Sequence, residues 1–172
     1  MNDVGFSPKQ LELFKFGFSK YDGVIADGTI RSGKTSSMSI AFILWAMSEF
    51  RNKNFIIASK SVSSAERNII KPLMNIKYLH KQFDIAYYTS THTLKVTRGR
   101  NTQYFYVFGG KDEASYQTVQ GITSAGAFLD EVVLMPESFV NQVLARCSIP
   151  RSKYWFSCNP ESPKHWFKQE WV

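Results

Sequence analysis

Gly28-Thr29-Ile30-Arg31-Ser32-Gly33-Lys34-Thr35 fills every fixed position of the pattern G-x-x-x-x-G-K-[ST], and the segments on either side of it decide the fold. Before it, Val24-Ile25-Ala26 is a short apolar run closed by Asp27, which reads as a buried strand entering a tight turn. After it, residues 34–48 are apolar on nearly all sides, the mark of a helix packed against a sheet. A glycine-rich loop between strand and helix lets backbone N–H groups wrap around phosphate oxygens, and the helix adds the positive end of its dipole. In this setting Lys34 reaches the β and γ phosphates, and Thr35 offers its hydroxyl to Mg²⁺. An ordinary glycine turn is the competing reading of the pattern taken alone.

Working outward, residues 8–20 show helical spacing of Leu11, Phe14 and Phe18. Phe55-Ile56-Ile57-Ala58 reads as a second buried strand. Ser63 and Glu66 fit a capping box that starts a helix through Asn68-Ile69-Ile70, with Pro72 kinking or ending it. Residues 93–97 and 103–108 suggest a β-hairpin around Gly99-Arg100-Asn101. Ala127-Phe128-Leu129 and Tyr154-Trp155-Phe156 read as further strands, closed by Asp130-Glu131 and by Ser157-Cys158-Asn159-Pro160. Strands alternating with helices predict an α/β domain with a largely parallel sheet flanked by helices, plus the hairpin. Polar residues gather just after the strands, where open α/β sheets bind ligands.

Composition bounds the function. A chain of 172 residues and 19.7 kDa is one domain on the usual length prior, and 44% hydrophobic against 20% charged residues excludes disorder. Two cysteines, Cys147 and Cys158, exclude a disulfide scaffold and suit a reducing interior. The start carries no signal pattern, and the apolar run that contains residues 41–47 is too short to cross a bilayer, so no membrane partner is expected. The net charge of +7 is uneven. Residues 51–100 hold ten basic and two acidic residues, net +8. A solvated face and a nucleic-acid surface both fit that excess, and Lys77, Lys81, Lys95, Arg98 and Arg100 are the candidate contacts for a nucleic-acid backbone.

Asp130-Glu131 supplies the acids that a phosphate loop needs. Asp130 is placed to hold the Mg²⁺ shell, directly or through water, and Glu131 to polarise an attacking water. Two acids capping a surface strand is the alternative. A glutamate beside the metal-binding aspartate favours hydrolysis over transfer to a small acceptor.

Taken together, these pieces resemble the ATPase domain of the large terminase subunit of tailed bacteriophages, the motor that packages DNA into procapsids. The resemblance is carried by Phe6-Ser7-Pro8-Lys9-Gln10, residues 28–35, Gln120-Gly121-Ile122-Thr123, residues 126–131, Cys158-Asn159-Pro160 and His165-Trp166-Phe167. It implies that Gln10 reads adenine, and that residues 157–160 form the coupling motif with Asn159 sensing the γ-phosphate. It implies ATP as substrate, bound by Gln10, Gly28, Arg31, Ser32, Gly33, Lys34, Thr35 and Ser36, with Thr35 and Asp130 on Mg²⁺. It further implies a catalytic role for Arg31, as the basic residue within the loop that contacts phosphate, and for Arg146 or Arg151 as a finger offered to a neighbouring subunit, Arg151 being favoured as a surface residue. The implied partners are double-stranded DNA, a portal protein, a small terminase subunit and further copies in a ring. The implied location is the host bacterial cytoplasm, transiently docked on the procapsid portal.

Large terminases of this kind continue into a nuclease domain. Residues 1–172 are expected to be the ATPase domain alone, truncated and without nuclease activity. A helicase-like P-loop ATPase and a non-hydrolysing nucleic-acid-binding module are the competing functions. The SPKQ start and the CNP and HWF segments favour terminase over the first, and intact Lys34, Thr35, Asp130 and Glu131 argue against the second.

Overall fold

Alternate side chains of a strand point to opposite faces, so a fully apolar strand must be covered on both sides. Asn54–Ser59 (β2) is such a strand: Phe55 and Ile57 enter one core layer, Ile56 and Ala58 the other. The computed structural model, which describes residues 7–28, 33–111, 117–159 and 164–171, builds its sheet around this strand. The other strands are Gly23–Asp27 (β1), Asp84–Tyr88 (β3), Thr93–Arg98 (β4), Asn101–Gly109 (β5), Gly126–Leu129 (β6) and Lys153–Cys158 (β7). Their order is β1-β7-β6-β2-β5-β4-β3. The pairs from β1 to β5 are parallel, and β5-β4-β3 is an antiparallel extension. The expected largely parallel sheet with a hairpin is therefore present, and Asn101, expected in the hairpin turn, belongs to β5 and pairs with Arg98.

Lys34–Glu49 (α2) fills one face. Phe42 sits at its centre, with ring centroids 5.1–6.2 Å from Trp45, Phe55, Phe105, Phe128 and Trp155. The last carbonyls of α2 lie over β5, and two buried amides satisfy them. Gln103 Nε2 donates to the carbonyls of Ala46 (3.2 Å) and Phe50 (2.7 Å), and Asn101 Nδ2 donates to that of Phe50 (3.0 Å). The phosphate-loop helix is thus fixed at its far end. The opposite face is covered by Glu137–Arg146 (α6) through Phe139, Val140 and Val143, and by Phe167 of Trp166–Trp171 (α7).

Pro8–Phe16 (α1) stops four residues short of the expected 20 and buries a different face. Leu13 and Phe16 are buried, whereas Leu11 and Phe18 are exposed. The cause is Gly17, where an added Cβ would lie 2.9 Å from Trp45 Cδ1. That approach to α2 rotates Leu13 and Phe16 inward, and Phe18 lies beyond the helix.

The segment after β2 also departs from expectation. Val62–Ala65 (α3) is capped by Ser61, whose Oγ accepts from Ser64 N (3.1 Å), not by Ser63. Ser61 has the extended backbone that a cap requires, and Ser63 lies already inside the helix. Glu66, expected to close the box, instead accepts from Tyr87 Oη of β3 (2.6 Å). The helix widens to a π turn over Glu66–Ile70 and continues as Lys71–Met74 (α4). Pro72 therefore does not end it: a proline ring collides with the carbonyl four residues back, and a widened turn relieves that clash. Lys77–Gln82 (α5) follows and packs on β3.

Candidate nucleotide site

β1, β6 and β7 are parallel neighbours, so their C-terminal ends meet at one edge, and α2 begins at that edge. Gly33, at φ 74°, is the residue from which α2 springs. A side chain there would be strained, and an added Cβ would come within 3.0 Å of Gln10 Nε2. The amide of Gln10 therefore faces Gly33 at the start of α2. Its position is set by a reciprocal cap at the start of α1: Gln10 Oε1 accepts from Ser7 N (2.8 Å) and Ser7 Oγ accepts from Gln10 N (3.3 Å). Gln10 and Lys34 also line a cavity of about 730 Å³ with Leu13, Phe16 and Tyr21. It has the mixed apolar and amide lining that a purine base fits.

Lys34 Nζ donates to the carbonyl oxygens of Gly28 and Cys158 (the latter 3.0 Å) and to Asn159 Oδ1 (3.1 Å). One ammonium thus gathers the ends of β1 and β7 with the proposed sensor. Thr35 Oγ1 donates to Asp130 Oδ1 (2.8 Å), and Asp130 is 1% exposed. Ser157 completes the arrangement. Its Oγ donates to Asp130 Oδ1 (2.5 Å) and accepts from Glu131 N (3.0 Å). Glu131 has a left-handed backbone, φ 55° and ψ 46°. Such a conformation is uncommon for a residue with a side chain and recurs where function demands a particular direction. Glu131 Oε2 is buried and has no hydrogen-bond partner among the described residues.

A second cavity of about 430 Å³ contains Gly33, Lys34, Thr35, Ser36, Asp130, Glu131, Ser157 and Asn159. The sequence-expected residues Gly28, Gly33, Lys34, Thr35, Ser36, Asp130, Glu131 and Asn159 thus come together, with Gln10 adjoining. Arg31 and Ser32, like Thr29, Ile30, Phe6 and Pro160, lie outside the described residues. Arg146 is not in this cleft. Its carbonyl accepts from Ser124 N, and Ala125 N bonds Asn54 at the start of β2, so Arg146 stands at the opposite end of the strands. With the Gln142 amide oriented to suit, its guanidinium donates to Gln142 Oε1 at 3.0–3.1 Å. Arg151 is also at that end, exposed and paired with Glu49 (3.2 Å), a surface position as favoured.

Two contributors carry no individual signal in the sequence. Ser157, read in the sequence only as the first residue of the coupling motif, bridges the two acids. Arg67 of the π turn lines the second cavity with Asn68 and Pro72. On the far side of the site, α7 is held by an ion pair between Lys168 and Asp27 and by Phe167 against Phe156 (centroids 5.3 Å). Burial pushes the Cys158 thiol, at the end of β7 beside the site, up from its ordinary value, and that of Cys147, at the far end of α6, up to about 12.

The basic stretch divides in space. Lys77 and Lys81 are exposed on α5, and Lys95 is half-buried on β4. Arg98 and Arg100 are exposed at the β4–β5 turn, at the end of the sheet away from the phosphate loop. Asn52 and Lys53 of the α2–β2 loop bond Asn101, Thr102 and Gln103 at 2.6–3.0 Å, which brings Arg51 and Lys53 beside that turn.

Known proteins resemble this chain to different degrees. The sequence matches the family described as terminase large subunit, T4likevirus-type, N-terminal, over residues 25–172. A comparison with curated proteins finds no match. Among solved structures, the large terminase from a thermophilic bacteriophage gives a TM-score of 0.90 at 46% identity, covering 97% of this chain and 42% of that one. The same phage protein in complex with ATP-gamma-S gives 0.86 at 43% identity, covering 97% and 41%. The large terminase ATPase domain of Thermus phage P74-26 gives 0.70 at 14% identity, covering 91% and 66%, a likeness of fold alone. This chain thus spans less than half the length of the thermophilic phage protein. Among the described residues no helix is long and apolar enough to cross a membrane. A family match over most of the sequence, together with close identity to a solved relative across nearly all of it, makes the chain a member of the terminase large subunit family, T4likevirus type.

Proposed function

We propose that the chain is the ATP-hydrolysing motor domain of a phage DNA-packaging terminase, acting on double-stranded DNA bound for a procapsid. The observation that carries this reading is the convergence of Lys34, Thr35, Asp130 and Glu131 at one strand edge in a member of this family. Lys34 neutralises phosphate charge. Asn159, already bonded to the Lys34 ammonium, senses the terminal phosphate through the same contact. Gln10 reads the base from the adjoining cavity, and the complex of the thermophilic phage terminase with ATP-gamma-S supports nucleotide binding for a close relative. Thr35 Oγ1 and Asp130 Oδ1 are hard oxygen donors 2.8 Å apart, a set that suits Mg²⁺ beside phosphate oxygens. When bound there, Mg²⁺ supplies charge neutralisation to the phosphates. Glu131, with a buried carboxylate oxygen unpartnered among the described residues, orients and deprotonates the attacking water.

The exposed basic cluster of Arg51, Lys53, Arg98 and Arg100 grips the duplex backbone without reading bases. Residues 1–172 serve as one ATPase unit, with DNA cutting not assigned to them. Further copies in a ring, a portal protein and a small terminase subunit complete the assembly, in the host cytoplasm and transiently at the portal. Arg146, remote from its own chain's site, is available to a neighbouring subunit.

Phosphate release with and without duplex DNA, at several salt concentrations, tests this reading. The parent should hydrolyse ATP, and duplex should accelerate it. An Arg98→Glu/Arg100→Glu variant should keep the basal rate, lose the acceleration and show a shallower salt dependence of duplex binding. No release by the parent under any condition would refute the ATPase assignment. An unchanged DNA response in the double variant would refute the basic cluster.

A further inference from the structure

The cleft with Lys34, Thr35, Asp130 and Glu131 has a second cation in its wall, Arg67. Its surroundings set it apart from the two arginines considered as fingers. Arg146 is engaged with Gln142 and Arg151 with Glu49. Arg67 lines a cleft that contains two carboxylates, yet it has no hydrogen bond or ion pair among the described residues. Meanwhile Lys34, the other cation of that cleft among the described residues, is already held by three oxygen acceptors.

The backbone beneath Arg67 is unusual. It is the second residue of the π turn Glu66–Ile70, and such turns recur at functional sites because they re-aim side chains out of helical register. The turn is pinned from the other side. Glu66 accepts from Tyr87 Oη of β3 (2.6 Å) and pairs with His92 Nδ1 (3.3 Å). The residue before Arg67 is therefore anchored away from the cleft, which leaves Arg67 with a defined base and a free head.

We propose that Arg67 contacts the terminal phosphate of a nucleoside triphosphate bound by the same chain. The inference rests on the ATPase reading above. In the reaction, the water oxygen bonds to the γ-phosphorus while the bond from that phosphorus to the β–γ bridging oxygen breaks. The electron pair leaves on the nucleoside diphosphate, and the water proton passes to Glu131. Arg67 transfers nothing. Its planar guanidinium holds equatorial γ-oxygens as charge spreads over them, from a direction the Lys34 ammonium does not occupy.

A terminal-phosphate contact discriminates triphosphate from diphosphate, so the test is binding as well as turnover. Fluorescent ATPγS and ADP are titrated against the parent, Arg67→Ala, Arg67→Lys and Lys34→Ala. Arg67→Ala should weaken ATPγS about tenfold or more while ADP affinity stays within about twofold, because only the triphosphate loses a charge-assisted bond. Arg67→Lys should recover part of the loss, and the maximal rate of phosphate release should fall in the same order. Equal discrimination by Arg67→Ala and parent would overturn the proposal. So would a parallel loss of both nucleotides, which marks a structural role. Restoration of ATPγS affinity on mixing Arg67→Ala with Lys34→Ala chains would overturn the same-chain assignment. A parent that binds neither nucleotide would overturn the ATPase reading together with this inference.

Discussion

Replacing Lys34 by alanine separates the two duties that the structure gives its ammonium. Without nucleotide, Nζ ties Gly28 and Cys158, at the ends of β1 and β7, to Asn159. These acceptors line an open cleft and water can replace the lysine, so the unliganded loss should be about 1 kcal/mol, or roughly 2–4 °C for a chain of this size. With nucleotide, the same ammonium makes a charge-assisted bond to phosphate, worth about 1.5–3 kcal/mol, so affinity should fall about ten- to a hundredfold. Linkage turns this into a thermal signal. At about a hundred times the parent's dissociation constant, ligand stabilises the parent by about 2.7 kcal/mol and raises its melting temperature by about 5–10 °C. At the same concentration, a variant a hundredfold weaker gains only about 0.4 kcal/mol, a shift near 1 °C. Differential scanning fluorimetry over an ATPγS series reads both duties at once. Equal ligand-induced shifts in variant and parent would refute the phosphate contact. A large drop in the unliganded melting temperature would show that Lys34 is chiefly a structural strap.

Three other expectations concern the frame that holds the site. Gln103→Leu strands the Lys53 N–H and takes one donor from the carbonyls of Ala46 and Phe50, which keep Phe50 N and Asn101 Nδ2, so urea unfolding should show a loss of about 1–3 kcal/mol; a loss under about 0.5 kcal/mol would mean that water replaces the amide. The hydrogen bond from Tyr87 is the chief cause holding the Glu66 carboxyl below its ordinary value of 4.5, so it stabilises the fold above that pH and the effect is lost as pH falls through the depressed value. Tyr87→Phe should therefore be less stable by about 0.5–1.5 kcal/mol at pH 7, with the gap closing as pH drops below about 4; a gap that widens in acid would contradict the assignment. Cys147 and Cys158 are buried and their thiols are pushed up, so a thiol-exchange reagent at pH 8 should label neither in the native chain and both after unfolding; rapid native labelling of Cys158 would show that the β7 end opens readily, and of Cys147 that the end of α6 does.

What the sequence discloses follows the reach of each signal. The phosphate loop and α2 are legible because the motif demands a strand before it and a helix after it. The apolar strands β2, β6 and β7 are legible because burial on both faces leaves an unbroken apolar run. The inward face of α1 is not, since Gly17 against Trp45 sets it and that contact is non-local. β3 gives no signal because an edge strand, half-exposed along Asp84–Tyr88, carries neither a long apolar run nor clean alternation. α6 is within reach of sequence reasoning, with Phe139, Val140 and Val143 at helical spacing. Asp130 and Glu131 are found from their place after a strand, yet the hydroxyls that orient them come from Thr35 and Ser157 on separate elements. Arg67 is hidden for the same reason, as one basic residue among ten in residues 51–100 until the π turn aims it.

In the proposed reaction this cleft hydrolyses ATP with Glu131 as the group that activates water. Phosphate release at saturating Mg·ATP should be measured for the parent and for Glu131→Gln, alongside ATPγS affinity for each. An amide of the same size keeps the packing but cannot accept the water proton, so affinity should stay within about threefold while turnover falls by about a hundredfold or more. Normal turnover by Glu131→Gln, with binding intact, would contradict the account and place the base elsewhere.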